Sequence, residues 1–205
     1  MEESLVVRSA TVDDLDALVA IQHSRPTREI VGLAGSPERA RRFGRALMRS
    51  DGIVDAARPV VLIEGTTGPV AFMSYSVGPT ESGSLSPRLV AGVLAALGPS
   101  VLRLPNRLAA LRAVKLVAPE NSFYIAELHV HPDHRGQGLG SHLLSWSSGR
   151  CVELGLDQRS LVTGTSNPAI HLYERHGFTV VATATDVKYQ RIYGQAGRVL
   201  MTAPA

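Results

Sequence analysis

Residues 124–144 hold the densest set of side chains and spacings that could do chemistry. The apolar run Tyr124-Ile125-Ala126-Glu127-Leu128-His129-Val130 leads into Arg135-Gly136-Gln137-Gly138-Leu139-Gly140-Ser141, and a helical pattern follows. Glycines at 136, 138 and 140 let backbone N–H groups converge with no Cβ in the way, and a helix starting there points its positive end at the same spot. Such a turn is a cradle for pyrophosphate. Its spacing is neither the dinucleotide fingerprint nor a P-loop, since no Gly-Lys-Ser/Thr follows. Glu127 and His129 interrupt the apolar strand two residues apart and so share one of its faces. Either is open to a chemical role or to simple solvation.

The other reactive side chains carry less. Cys151 is the single cysteine, so no internal disulfide forms, and its helical position suits a small buried residue better than a nucleophile. A reducing, cytoplasmic setting is expected. His131 and His134 flank Pro132 with no acid at useful spacing, and the histidines as a whole lack ligand spacing, so no metal is expected. The net charge of +3 is spread without the basic clusters of a nucleic-acid surface, which argues against such a partner and leaves a mildly basic surface suited to an acidic cofactor. The acidic start lacks the basic and apolar runs of a secretory signal.

These groups need a scaffold. A chain of 205 residues, 44% hydrophobic and 19% charged, can bury a core as one domain spanning 1–205. Residues 5–8 read as a first strand, and Thr11 with Asp14 caps the helix that follows. Ser36-Pro37-Glu38 starts a second helix reaching about residue 49. Runs at 59–64 and 69–77 flank Gly65-Thr66-Thr67-Gly68 and form an antiparallel hairpin. Strands are expected at 123–130, 160–164, 178–184 and 198–202, with helices over 138–154 and from Asn167 to His176, the latter stopped at Gly177. The fold class is therefore α+β, a mixed and largely antiparallel twisted sheet flanked by helices.

Residues 78–121 are too long for an ordinary connection and too apolar for a disordered one, so they form a helical insertion ahead of the 123–130 strand. The apolar stretch 89–97 is too short for a membrane span and ends at Gly98-Pro99. Leu104, Leu108, Leu111, Val114 and Val117 then recur at helical spacing with Arg103, Arg107, Arg112 and Lys115 between them. This pair of helices serves as core cover, as a subunit contact in a homodimer, or as a wall of the acceptor site.

The glycine turn resembles the cofactor motif of the GCN5-related N-acetyltransferase (GNAT) family, Arg/Gln-x-x-Gly-x-Gly/Ala after a strand, matched by Arg135, Gly138 and Gly140. The family's second landmark, an Asn followed by an Ala-x-x-Leu/Phe-Tyr run and Gly-Phe, is matched by Asn167, Ala169, Leu172-Tyr173 and Gly177-Phe178. The resemblance is sharp over residues 123–178 and absent over 78–121. Asn167 stands one residue closer to Tyr173 than in many members, so either Asn167 or Ser166 takes the cofactor-contacting place; Asn167 is equally readable as a helix cap before Pro168.

The resemblance implies an acetyl-CoA-dependent N-acetyltransferase with no metal, working by direct attack of a primary amine in a ternary complex. It implies that backbone of Leu128, His129 and Val130 pairs with the pantetheine arm, with an N–H near Val130 polarising the thioester carbonyl. Arg135, Gly136, Gln137, Gly138, Leu139, Gly140 and Ser141 would hold the phosphates. Tyr173 would protonate the departing thiolate, its alternative being a packed aromatic. Glu127, two residues from the carbonyl-binding region, would take the amine proton, directly or through water. The acceptor is an amine of a small molecule or of a protein. The competing reading is a catalytically weak acyl-CoA-binding sensor or partner module.

Overall fold

The computed structural model describes residues 6–24, 27–51, 59–66, 68–78 and 87–205. Among them the strands are Val7–Ser9 (β1), Val60–Gly65 (β2), Gly68–Val77 (β3), Phe123–Val130 (β4), Gln158–Gly164 (β5), Thr179–Thr185 (β6) and Gly197–Pro204 (β7). They form one mixed sheet in the order β1-β2-β3-β4-β5-β7-β6. Every pairing is antiparallel except β4 with β5. The helices are Leu15–Ser24 (α1), Arg28–Ala34 (α2), Pro37–Asp51 (α3), Pro87–Leu97 (α4), Leu104–Ala113 (α5), Leu139–Glu153 (α6), Ile170–Arg175 (α7) and Val187–Tyr193 (α8). The α+β expectation holds. Residue 5 of the first strand, Thr67 of the hairpin turn and residues 79–86 of the insertion lie outside the described residues.

Two apolar layers hold the sheet. On one face Ala71, Met73, Tyr75, Phe123, Ile125, Leu161 and Met201 pack against Leu139, Leu143, Leu144 and Cys151 of α6 and Tyr173 of α7. On the other, Phe72 and Leu62 meet Leu18 and Ile21 of α1. Period-2 alternation along β3 explains the split, because Ala71, Met73 and Tyr75 point one way and Phe72 the other.

That alternation breaks once in β4. Ser74 pairs with Glu127 and Tyr75 with Ile125, so Ala126 is an extra residue without a partner on β3. This β-bulge shifts the parity of the strand. Before it, Phe123 and Ile125 face α6; after it, Leu128 and Val130 do. Glu127 and His129 are thereby turned to the α1 face.

Three features were not expected. α2 and α8 have seven residues each, too short to show helical periodicity. The helix placed at 167–176 begins only at Ile170, because Asn167 and Pro168 belong to a turn. The two helices of the insertion also pack on different partners. α4 lies on α3, whereas α5 lies against α2 and α8. Arg107, read as part of a polar face, is buried; Leu33 O and Ser100 Oγ accept from its guanidinium at 3.0 and 3.1 Å, which satisfies it inside.

Candidate active site

Parallel pairing between β4 and β5 covers only Phe123↔Arg159, Tyr124↔Ser160 and Ile125↔Leu161. Beyond these the strands part, and a cavity of about 590 Å³ opens between them. Residues 125–129 of β4 and 161–164 of β5 line it, with Arg135, Asn167 and Tyr173. The His131 N–H donates to Val70 O at 2.8 Å, toward β3. Strand alternation then turns the backbone groups of Leu128 and Val130 to the other edge, where β5 has left. Arg135 Nε donates to Val130 O at 3.3 Å from that side. His129 belongs to the β3-facing set, and its ring stacks on Phe72 with centroids 5.0 Å apart.

The glycine turn follows the open strand. Gly136 and Gly138 have φ of +78° and +80°, a region that side-chain-bearing residues rarely adopt, and open space lies where their Cβ atoms would stand. Gly138 O accepts the His142 N–H at 2.9 Å, and no side chain caps α6. The N–H groups of Leu139, Gly140 and Ser141 thus precede the first intrahelical bond and remain donors at the helix's positive end. The Leu139 side chain is buried in the core, and a Cβ on Gly140 would stand 3.0 Å from Leu172 Cδ2, so α6 approaches α7 closely here. Gln137 is exposed, with Oε1 3.4 Å from His134 Nδ1.

Tyr173 reaches the cavity from α7. Its side chain is buried, and burial pushes the hydroxyl up to about 12, so it carries its proton at neutral pH. Among the described residues no group is hydrogen-bonded to that hydroxyl. Glu127 enters from the opposite side. Gln22 Nε2 of α1 donates to both of its carboxylate oxygens, at 3.0 and 3.1 Å, and His129 Nε2 lies 3.9 Å from Oε2. Asn167 does not present its amide to the cavity freely. Its Nδ2 donates to Thr163 Oγ1 at 2.6 Å and its Oδ1 accepts from the Ala169 N–H at 3.0 Å, closing the turn before α7. Ser166 Oγ donates to Gln195 Oε1 at 3.3 Å.

Sequence reasoning missed the far wall. Thr27, Arg28, Glu29 and Ile30 at the start of α2, with Gln195 and Arg198, complete the cavity. Glu29 Oε1 accepts from Tyr189 O–H at 2.8 Å and lies 3.0 Å from Arg198 Nε, so this second acid is already engaged. Gln22 was missed too. Nothing in a short polar position on a helix marks it as a carboxylate clamp. Cys151 is fully buried and burial raises its thiol, which removes it as a nucleophile. Among the described residues no group of three or more His, Cys, Asp or Glu is placed to hold a metal ion, and no helix is long and apolar enough to cross a membrane.

A splayed parallel strand pair, a glycine turn and a helix N-terminus in this order are matched over residues 69–178 by the model of the acetyltransferase (GNAT) family. The chain belongs to the GNAT family. A mycothiol acetyltransferase from Propionibacterium freudenreichii is 40% identical over 72 residues, 35% of this chain and 22% of that relative's length. The GNAT fold is shared along nearly the whole chain. A structure of histone acetyltransferase HPA2 and related acetyltransferase from Corynebacterium glutamicum aligns over 98% of this chain and 97% of its own, with TM-score 0.63 and 20% identity. The ribosomal-protein-S18-alanine N-acetyltransferase from Escherichia coli aligns over 97% and 92%, with TM-score 0.58 and 16% identity. The PaiA N-acetyltransferase from Thermoplasma acidophilum, solved in complex with coenzyme A, aligns over 98% and 99%, with TM-score 0.55 and 12% identity.

The GNAT family uses acetyl-CoA, and the residues present fit that cosubstrate. The donors at the start of α6 suit a diphosphate, the open ground outside Gly136 and Gly138 suits its approach, and the unpaired edge of β4 suits an extended amide-bearing arm.

Proposed function

We propose that this protein transfers an acetyl group from acetyl-CoA to a primary amine by direct attack within a ternary complex. The observation that carries the reading is the meeting, in one cavity, of an open strand edge, a protonated buried tyrosine and a clamped carboxylate. Acetyl-CoA supplies the activated acetyl thioester. Donors at Leu139, Gly140 and Ser141 hold its diphosphate, with the backbone of Arg135, Gly136, Gln137 and Gly138 shaping the turn. Leu128 and Val130 pair with the pantetheine arm, His129 standing between them in the strand. The Val130 N–H is the donor to the carbonyl oxygen as charge develops there.

Tyr173 donates its proton to the departing thiolate sulfur. A pKa near 12 makes it a weak acid in the ground state, and the transfer becomes favourable only as negative charge grows on the sulfur. Glu127 accepts the amine proton, directly or through water. Gln22 Nε2 holds both carboxylate oxygens, fixing the orientation of the group. Asn167 contributes by closing the turn that presents α7, with its amide engaged by Thr163 and the Ala169 N–H, while Ala169 stands at the N-cap. We read residues 1–205 as one acyltransferase domain, since a single sheet runs through the described residues.

The test is CoA release from acetyl-CoA across a panel of primary amines, with the acetylated amine identified by mass. Turnover that depends on Tyr173 and Glu127 supports the reading. Stabilisation by CoA without turnover on any amine, small or protein-borne, refutes it in favour of a binding module.

A further inference from the structure

A second cavity, about 580 Å³, lies between α2, α5 and α8. Its wall contains four arginines, Arg28, Arg103, Arg107 and Arg191, together with Asn106 and Tyr193. No carboxylate is among the described residues that line it. Arg107 is only 8% exposed. Its guanidinium is held by two neutral acceptors, Leu33 O and Ser100 Oγ. Burial lowers its proton affinity, and the like-charged Arg103 and Arg39 add to this against a smaller opposing effect of Tyr193. A buried cation among cations is costly unless something neutralises it.

The backbone makes room for this arrangement. Gly35 ends α2 with φ +87°, and a Cβ there would stand 2.4 Å from Arg107 Nη2. Glu29, the nearest acid in α2's first turn, is spent on Arg198 and Tyr189 and does not line this cavity. Four arginines in the wall of one cavity offer planar guanidinium groups of the kind that bind the oxygens of a carboxylate or a phosphate by charge-assisted hydrogen bonds.

Arg28 joins this cavity to the active site, because it lines both. It donates from Nη1 to Gly194 O at 2.8 Å and lies 3.4 Å from Ser166 Oγ, which is itself in the wall of the cleft. The turn at residues 135–141 contributes nothing to the arginine cavity. A phosphate of the cosubstrate is therefore not its natural occupant.

The geometry points to an anion subsite for the acceptor: the cavity between α2, α5 and α8 takes a carboxylate or phosphate carried by the same molecule whose amine is acetylated. The inference rests on the amine-acetyltransferase reading above and narrows its substrate class to anionic amines. It assigns to the insertion a specificity role through Arg103 and Arg107, without contact with the reacting atoms.

The experiment has two arms on the full chain, the first saturated with CoA and the second supplied with saturating acetyl-CoA. In the first, inorganic phosphate is titrated by calorimetry into the wild type and into the double variant Arg103→Gln/Arg191→Gln, both positions being exposed. Phosphate is expected to bind the wild type and to bind the variant at least about tenfold more weakly. In the second arm, primary amines are compared in matched pairs that differ by one carboxylate or phosphate. The anionic member is expected to be preferred, and the double variant is expected to raise its KM about tenfold or more while kcat stays within about twofold. Absence of phosphate binding to the wild type overturns the subsite. Phosphate binding combined with equal use of both members of each pair overturns the assignment to the acceptor and makes a free anion the occupant. Failure of every amine to turn over would strike the underlying reading instead, and the phosphate arm is read independently of it.

Discussion

Gln22 Nε2 donates to both carboxylate oxygens of Glu127, joining α1 to β4 across the sheet face at 3.0 and 3.1 Å. The bond exists because the bulge at Ala126 turns Glu127 away from α6, where an apolar core would receive it. Glu127→Gln keeps the size and removes the proton acceptor. It is expected to lower kcat by about 10²-fold or more with little change in acetyl-CoA affinity. Gln22→Leu leaves the acid but not its orientation, and a smaller loss, about tenfold, is expected. Steady-state kinetics with calorimetry of acetyl-CoA on both variants checks the order; equal activity of Glu127→Gln and wild type would dismiss the base.

Tyr173→Phe retains the buried ring against Phe178 and deletes only a hydroxyl that no described residue holds. Turnover should fall by about 10²-fold while the Kd for acetyl-CoA moves by less than about threefold. An unaltered rate would reduce Tyr173 to packing.

Gly138 sits at φ +80° where the cosubstrate's phosphates are proposed to approach. Gly138→Asp places a Cβ and a negative charge in that space and strains the turn by about 1–2 kcal/mol. Calorimetry is expected to show near-complete loss of CoA binding, with circular dichroism showing the fold retained. Wild-type affinity in this variant would remove the cradle from residues 135–141.

The position of α1, and so of Gln22, depends on Asp14. Its buried carboxylate receives Arg8 Nη2 at 2.7 Å and the Thr11 N–H at 2.8 Å, and Arg8 also reaches Glu64 of β2 at 2.8 Å. The Arg8 guanidinium, opposed by burial, holds the Asp14 carboxyl well below the usual carboxylate range. A depressed folded pKa means that the stabilisation is complete above the unfolded value, near about 4, and is lost as pH falls through the folded one. Asp14→Asn should therefore cost about 1–3 kcal/mol at neutral pH. Denaturant titrations of the two proteins are expected to converge as pH falls below about 4; a difference that persists unchanged there would contradict the assignment.

The half of the molecule that carries the glycine turn was legible in the sequence because its signals are local. A strand at Phe123–Val130, glycines at 136 and 138 with positive φ, and the start of α6 at Leu139 all follow from backbone rules acting over a few residues. The shared face of Glu127 and His129 was legible for the same reason. Which face they occupy was not, since it depends on one unpaired residue in the register with β3. The far wall of the cleft and the packing around α2, α5 and α8 were legible least. α2 and α8 are a turn or two long, and Arg28, Arg107 and Tyr193 meet only through tertiary packing. Spacing in the insertion predicted a helix carrying Leu104, Leu108, Leu111, Val114 and Val117; the helix ends at Ala113, and Val117 lies beyond it and is exposed. Arg107, which looked like surface, is buried because its partners come from α2 and from the turn before α5.

The most direct measurement of the central claim is the initial rate of CoA release with acetyl-CoA and a productive primary amine varied together, with the acetylated product identified by mass spectrometry. Direct attack in a ternary complex predicts intersecting double-reciprocal lines, one acetylated amine per CoA released, and no acetylated protein after incubation with acetyl-CoA alone. Parallel lines with a stable acetyl-protein, or tight CoA binding with no product from any amine, would contradict it.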